Sequence, residues 1–353
     1  MALKLGIIGN GGIANAHMGG YLALGDEIEL VACCDINFPK AQAFKEKYGF
    51  SACYDNCYDM LKNHKLDIVS VCTWNSAHAE CTIAALDSGC NVLCEKPMAM
   101  NTEEALKMKE AAERNGKLLM IGFVRRHGND AAAAIDYIAK GYVGDVYYAK
   151  ASYLRRCGFP GGWFGDKSVS GGGPLIDLGV HVIDLVRYIL GCPKPVTVFG
   201  ATFNKLGARS HIRGTEWHSE TVVEEPVFTV EDLATAMIRF DNGAVLQVEA
   251  SFNLNTKKGC GDIVLFGDKA GLSLEPFELY TEVNDQLADI IPHGSNNFDF
   301  GRDFNKEIKN FADAVTGKAK CIATAEDGVE LMRILDAIYL SAETGKSVDI
   351  VRQ

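Results

Sequence analysis

The strongest constraint on the fold lies at the N-terminal end. An apolar run, residues 3–8 (Leu-Lys-Leu-Gly-Ile-Ile), passes directly into Gly9-Asn10-Gly11-Gly12-Ile13-Ala14 and then into a helical pattern over 12–24. Strand, glycine turn and helix in that order open a βαβ unit. Gly9 permits the tight turn, Gly11 removes the side chain where a pyrophosphate would approach, and Ala14 lets helix and strand pack closely. Asn10, Gly12 and Ile13 complete the turn, and the N–H groups at the start of the helix favour bound phosphate. Asp35 ends the next strand-like run, where a carboxylate can accept hydrogen bonds from both ribose hydroxyls of an adenosine and would repel a 2′-phosphate. That favours NAD over NADP, with Asn37 and Lys40 close enough to soften the repulsion.

The pattern continues in kind. Further strand-like runs lie at 28–34, 67–72, 90–94 and 117–122, and helical patterns at 39–48, 76–88 and 102–114. Such alternation predicts a parallel, doubly wound α/β sheet over residues 1–123. After that the runs lengthen and alternate: 145–154, 195–203, 233–240, 244–252 and 260–267, with Asp241-Asn242-Gly243 as a hairpin turn. Residues 124–353 therefore read as an α+β domain built on a mostly antiparallel sheet, with 204–226 as a long polar loop.

Composition removes several classes of function. A net charge of -11 opposes nucleic acid and anionic membranes, and no basic patch offsets it. There is no secretory leader pattern, and no stretch of about 20 apolar residues is expected to span a bilayer. The 12 cysteines form no C-x-x-C pair and have no histidines clustered beside them, so no metal site is expected. Cys33, Cys34 and Cys72 sit inside apolar runs as small buried hydrophobes, and thiols of this kind suit a reducing cytoplasm.

Two further motifs carry chemistry. Cys94-Glu95-Lys96-Pro97 follows a strand, and sites in open parallel sheets lie beyond the carboxyl ends of the strands. Lys96 can hydrogen-bond a substrate hydroxyl and stabilise a developing alkoxide, while Pro97 fixes the backbone and raises the prospect of a cis bond. Gly171-Gly172-Gly173-Pro174 precedes an apolar helix over 175–190 on which Asp177, His181 and Asp184 recur along one face. A polar stripe on a helix otherwise suited to burial must meet a cavity, a partner or water. His181 can move a hydroxyl proton near neutral pH, and Asp177 can orient it or bind substrate.

Taken together, these motifs resemble the glucose–fructose oxidoreductase/inositol dehydrogenase/MocA family. The matching segments are Gly9 to Ala14, Cys72-Thr73-Trp74-Asn75-Ser76-Ala77-His78, Glu95-Lys96-Pro97, Gly171 through His181, and Ala325-Glu326-Asp327-Gly328. The resemblance implies a Rossmann domain, then an α/β domain whose open mixed sheet forms a subunit interface, hence a homodimer or homotetramer. It implies Lys96 as active-site lysine, His181 as general base and Asp177 as its partner. Thr73, Trp74, Asn75, His78, Glu95 and Pro97 then join Gly9 to Ile13 and Asp35 around the cofactor, with Trp74 standing where the family usually has proline.

The implied activity is NAD-dependent hydride transfer from a hydroxyl carbon of a sugar, a glycoside (C3 oxidation included) or a cyclic polyol such as inositol. Tyr153, Arg155, Arg156, Phe159, Trp163 and Phe164 supply the mixed polar and aromatic lining a sugar needs, with Arg156 and Trp163 as preferred contacts beside Lys96, Asp177 and His181. Trp217 and His218 could cap the pocket. Two alternatives stand beside the dehydrogenase: an NAD-dependent glycosidase working by transient oxidation and elimination, and a non-catalytic NAD-linked sugar sensor.

Overall fold

The protein is described by a computed structural model that covers residues 2–209, 211–212 and 227–352; Trp217 and His218 lie outside the described residues. The chain forms two compact units, Met1–Val124 with Phe300–Val329, and Arg125–Asp299 with Glu330–Gln353.

In the first unit, β1 (Leu3–Ile8), β2 (Ile28–Cys34), β3 (Ala52–Tyr54), β4 (Ile68–Val71), β5 (Asn91–Glu95) and β6 (Leu119–Gly122) make one sheet in the order β3-β2-β1-β4-β5-β6. Every pairing is parallel. The connecting helices are α1 (Gly12–Ala23), α2 (Phe38–Tyr48), α3 (Cys57–Asn63), α4 (His78–Asp87) and α5 (Thr102–Asn115). Strands covered on both faces read as unbroken apolar runs, which is why β1, β4 and β5 stand out in the sequence. Helix boundaries follow local chemistry. Asn37, Asn56 and Asn101 accept backbone N–H bonds at the starts of α2, α3 and α5, and Gly49 and Gly116 end α2 and α5 in the left-handed conformation. The short pair β3 and α3 went unread because a three-residue strand shows no period.

The second unit contains α6 (Asn129–Ala139), β7 (Val146–Leu154), α7 (Lys167–Ser170), α8 (Val180–Ile189), β8 (Pro195–Phe203), β9 (Leu233–Phe240), β10 (Val245–Ser251), β11 (Cys260–Gly267), β12 (Gly271–Leu274), β13 (Phe277–Val283) and β14 (Gln286–Ile290). Along the chain there follow α9 (Phe300–Val315), which belongs to the first unit, α10 (Ala325–Thr344) and β15 (Val348–Asp349). The sheet runs β14-β13-β12-β11-β7-β10-β9-β8-β15. β7 and β10 pair in parallel and their neighbours antiparallel, so the sheet is mixed. The expected hairpin joins β9 to β10: Gly243 adopts φ +89° and its N–H reaches the Phe240 carbonyl at 3.0 Å. α10 lies on β8, where a Cβ on Gly200 would come within 2.8 Å of Ile338 and Ser341 Oγ accepts the Gly200 N–H at 2.9 Å.

Two expectations need correction. Residues 124–353 were read as one block, but 300–329 belong with the first unit, where α9 packs on α1. Contacts between elements so distant in sequence leave no local mark. A run suited by length and composition to crossing a bilayer does exist, Lys167–Ile189, and 78% of its most apolar 18-residue stretch is buried in the fold. It is a core helix, apolar because protein surrounds it.

The α1–α9 contact makes a test. A Cβ on buried Gly20 would stand 2.6 Å from Ile308 Cβ, whereas one on exposed Gly19 meets nothing closer than Asn305 Oδ1 at 3.6 Å. Gly20→Ala is expected to lower stability by about 1–3 kcal/mol through overpacking. Gly19→Ala gains up to about 1 kcal/mol from helix propensity. Denaturant melts of the two variants should therefore shift in opposite directions.

Candidate active site

The first unit presents its candidate residues at the carboxyl ends of its strands. Gly9, with φ +86°, donates its N–H to the Cys34 carbonyl at 2.8 Å. A Cβ there would lie 2.6 Å from the Cys72 carbonyl oxygen, so only glycine lets β1 turn this close to the end of β4. Gly11 begins α1 in extended backbone with no side-chain cap, and its missing Cβ faces open space, the nearest atom being Lys40 Nζ at 3.9 Å. The first turn of α1 carries no acidic residue, leaving the helix N-terminus to an outside anion. Asp35 is fixed by its two oxygens, which accept the N–H groups of Asn10 at 2.8 Å and Asn37 at 2.9 Å. The buried side chain of Asn10 has no partner at either polar atom, although such groups are normally satisfied. A glycine cradle, an uncapped helix start, a fixed carboxylate and an orphaned amide suit a dinucleotide.

After β4, Trp74 is 40% exposed and so lies outside the core. Asn75 opens the next turn in a buried position. His78 faces inward: Nδ1 meets the Pro97 carbonyl at 2.7 Å and Nε2 the Thr73 carbonyl at 3.2 Å. Burial pushes its pKa down from the ordinary histidine value. It braces the 73–75 loop against the 95–97 turn, so its observed contacts are structural. The Lys96–Pro97 bond is cis, and the Lys96 N–H donates to Glu95 Oε2 at 3.1 Å. Glu95 is buried. Its partners His17 and Glu307 escaped the sequence reading. The available signal was a histidine on the buried face of α1 and two acids, Asp303 and Glu307, among the apolar buried residues of α9.

The second unit builds its part around the glycine run. A Cβ on Gly172 would strike the Tyr339 hydroxyl at 1.9 Å, and one on Gly173 the Glu231 carbonyl at 2.2 Å. Those glycines admit a buried acid. Glu231 accepts the N–H groups of Gly173 at 3.0 Å and Leu175 at 3.2 Å, and the Tyr339 hydroxyl at 3.0 Å. Burial outweighs these bonds and raises its pKa above the usual carboxyl range. The following helix opens with a π-type turn, Leu175–Gly179, before α8. Such turns are uncommon and gather at functional sites. Asp177 and His181 are both half-buried on this segment. Asp184, expected on the same face, is buried. It is held bidentately by Arg126 at 2.7 and 2.9 Å, with the guanidinium over the Tyr188 ring at 4.7 Å.

The remaining candidates divide. Phe159 belongs to a core with Leu178, Ala250 and Phe252, and Phe164 packs against it, so these two serve the fold. Trp163 is half-buried and stacks on Phe164 at 4.0 Å between centroids. Arg155 donates to the Gly158 carbonyl at 3.0 Å. Exposed Arg156 donates to the Lys257 carbonyl at 3.1 Å. Among the described residues one group offers a metal-type donor set, His17, Glu95 and Glu307; the cysteines are not part of it.

Comparison with known proteins agrees with this geometry. Residues 3–123 match a family described as "Oxidoreductase family, NAD-binding Rossmann fold", and residues 135–350 its "C-terminal alpha/beta domain". The chain is 37% identical to D-glucoside 3-dehydrogenase of Escherichia coli (strain K12) over 99% of its own length and 97% of that protein's. It is 30% identical to levoglucosan dehydrogenase of Pseudarthrobacter phenanthrenivorans over 71% of this chain and 68% of the relative. A solved levoglucosan dehydrogenase in complex with NADH superposes with a TM-score of 0.85 at 25% identity, with 100% of both chains covered.

The glycine run generates a test of its own. Glu231→Ala would leave two buried N–H groups and a hydroxyl unsatisfied, and is expected to cost about 2–5 kcal/mol. Tyr339→Phe removes one bond and should cost about 1 kcal/mol. Equilibrium unfolding of the two variants measures the difference.

Proposed function

The chain belongs to the glucose–fructose oxidoreductase/inositol dehydrogenase/MocA family, an NAD-dependent dehydrogenase of sugar or polyol hydroxyls, and from that premise we propose a glycoside oxidised at C3 as its substrate. The observation that carries this choice is the 37% identity to a D-glucoside 3-dehydrogenase along almost the whole of both chains. A second relative acts on levoglucosan, in which the anomeric carbon is likewise tied up. Both favour a sugar whose anomeric hydroxyl is blocked, leaving a ring carbinol to react.

In this reading, bound NAD supplies the hydride acceptor at C4 of its nicotinamide. Gly9 to Ile13 hold the pyrophosphate against the start of α1, and Asp35 binds the adenosine ribose. Asn10, whose buried amide lacks a partner in the protein, hydrogen-bonds the cofactor. Thr73, Trp74, Asn75 and the Glu95–Pro97 turn line the nicotinamide end, with His78 bracing them. Lys96 donates a hydrogen bond to the reacting hydroxyl and stabilises the oxygen as it loses its proton. His181 takes that proton, and Asp177 orients the imidazole or binds a neighbouring hydroxyl. Trp163 offers an apolar face to the sugar, and Arg156 a donor once it leaves the Lys257 carbonyl.

NAD is favoured over NADP because the Asp35 carboxylate is fixed where a 2′-phosphate would be repelled. Apolar side chains on the outer face of the large sheet support a homodimer or homotetramer: Phe199 and Met237 lie opposite each other on β8 and β9 and are 53% and 51% exposed. Cysteines that remain thiols support a reducing cytoplasm.

The test is a screen of glycosides, free sugars and inositols with NAD and with NADP, read at 340 nm, with mass spectrometry of products. A glycoside oxidised by two mass units with its aglycone attached is expected. Release of nitrophenol from a nitrophenyl glycoside without net NADH would replace the dehydrogenase by a glycosidase. Lys96→Ala and His181→Ala should each lose roughly 10²–10⁴-fold in kcat with NAD affinity retained. Near-native turnover in either variant would reject its role. Asp35→Ala should weaken NAD binding by an order of magnitude or more and narrow the preference over NADP, measured by fluorescence titration.

A further inference from the structure

Behind the cofactor-lining turn, the Glu95 carboxyl belongs to a buried cluster in the first unit whose other members, His17 and Glu307, have no part in the chemistry above. His17 of α1, Glu95 at the end of β5 and Glu307 of α9 bring their donor atoms within 4.8 Å of one another, all buried. His17 Nε2 meets Glu95 Oε1 at 2.8 Å, and its Nδ1 meets Ser70 Oγ at 3.2 Å. Ser70 Oγ meets the Tyr21 hydroxyl at 2.7 Å. The second Glu95 oxygen accepts the backbone N–H of Lys96 at 3.1 Å. A buried polar run, Tyr21–Ser70–His17–Glu95, thus ends on the peptide that carries Lys96. β6 walls the Glu95 carboxyl: a Cβ on Gly122 would lie 3.1 Å from it. Glu307 stands behind with neither oxygen hydrogen-bonded, although the residue is fully buried.

A divalent cation is one way to satisfy a histidine and two carboxylates. The observed bonding favours another. Both ring nitrogens of His17 and both oxygens of Glu95 are already engaged, so a cation would have to displace the His17–Glu95 bond. Two carboxylates this close without a cation cannot both ionise. Glu95 has a hydrogen-bond partner on each oxygen, the Lys96 N–H among them, and Glu307 has none, so the proton falls to Glu307. Burial, with the Glu95 charge beside it, pushes the Glu307 acid well above the usual carboxyl range.

We propose that His17 and Glu95 are positioning residues that clamp the backbone of Lys96, with Glu307 held behind them as an uncharged carboxylic acid. The clamp rests on the reading of Lys96 as the group that steadies the reacting oxygen. A lysine ammonium rides on a flexible stem, so its placement depends on how firmly the stem's root is held. Misplacement by about 1 Å can cost on the order of 10²-fold in rate. The titratable groups around Glu307 are His17 and Tyr21 of α1, Cys72 after β4 and Glu95 of β5, while Asp303 on its own helix is paired with Arg302 and Lys306. Burial raises both Tyr21 and Cys72, so neither adds charge at neutral pH.

The experiment uses the full-length protein with its glycoside substrate. Glu95→Ala and His17→Gln should each lower kcat on the order of 10²-fold, and in His17→Gln, which leaves the cofactor-lining turn unaltered in sequence, the Kd for NAD should stay within twofold of native. Glu95→Gln, which can still accept the Lys96 N–H, should recover part of that loss. In the unmodified protein, the Lys96 amide should exchange slowly with deuterium. The sign for Glu307 follows from linkage: the unfolded carboxyl ionises near pH 4–5 while the folded one stays protonated, so the native protein loses stability as pH rises. The Tm of Glu307→Gln relative to native should therefore climb from pH 5 to pH 8, and the purified protein should hold no stoichiometric metal.

Native kcat in both Glu95→Ala and His17→Gln, or fast exchange at Lys96, would overturn the clamp. A bound metal lost in Glu307→Gln, or a Tm difference flat with pH, would overturn the uncharged acid. Lys96→Ala separates the layers: if it is inactive while the clamp variants are native, only the clamp fails. If Lys96→Ala itself turns over normally, the reading beneath the clamp fails.

Discussion

The close approach of two backbones at Gly9 is the constraint on which the first unit depends. The strand order reverses between β1 and β4, and chain leaves those strands on opposite sides of the sheet. Gly9 turns at φ +86° against the Cys72 carbonyl, where any Cβ would sit 2.6 Å from it. Because the sheet is parallel, the residues that follow β1, β2, β4 and β5 share one edge. Gly9, Asp35, Thr73 and Lys96 are therefore neighbours by topology although they are scattered in sequence. A side chain at residue 9 would part β1 from the end of β4 and disturb that edge.

The second unit solves a different problem. A helix buried by protein must still present Asp177 and His181 in half-open positions. Two of the glycines before it, Gly172 and Gly173, make room for Tyr339 and Glu231, and the Glu231 carboxyl gathers N–H groups at the helix start. Leu178 anchors the π-type turn against Phe252 and Ala250. Polar groups that are not needed for chemistry are closed off, Asp184 by Arg126 most tightly.

Sequence read well wherever the cause was local. The turn at Gly9, the carboxylate at Asp35, the Lys96–Pro97 corner and the hairpin at Gly243 each follow from a few adjacent residues with restricted backbone or defined charge. What went unread depends on partners far along the chain. His17 finds Glu95 from 78 residues away, and Arg126 finds Asp184 from 58. α9 packs on α1 where Gly20 leaves a groove for Ile308, and nothing within 300–315 announces that partner. His78 and Phe164 show the reverse case, residue types suited to a site that spend their contacts on the scaffold.

The central claim is that hydride leaves one ring carbon of an intact glycoside for the cofactor. The most direct measurement uses a methyl glucoside deuterated at C3, incubated with NAD and followed by mass spectrometry of the reduced dinucleotide. One deuterium in each NADH formed and a keto glycoside in equal amount are expected. Unlabelled NADH, or cleaved glycoside in place of the keto product, would contradict it.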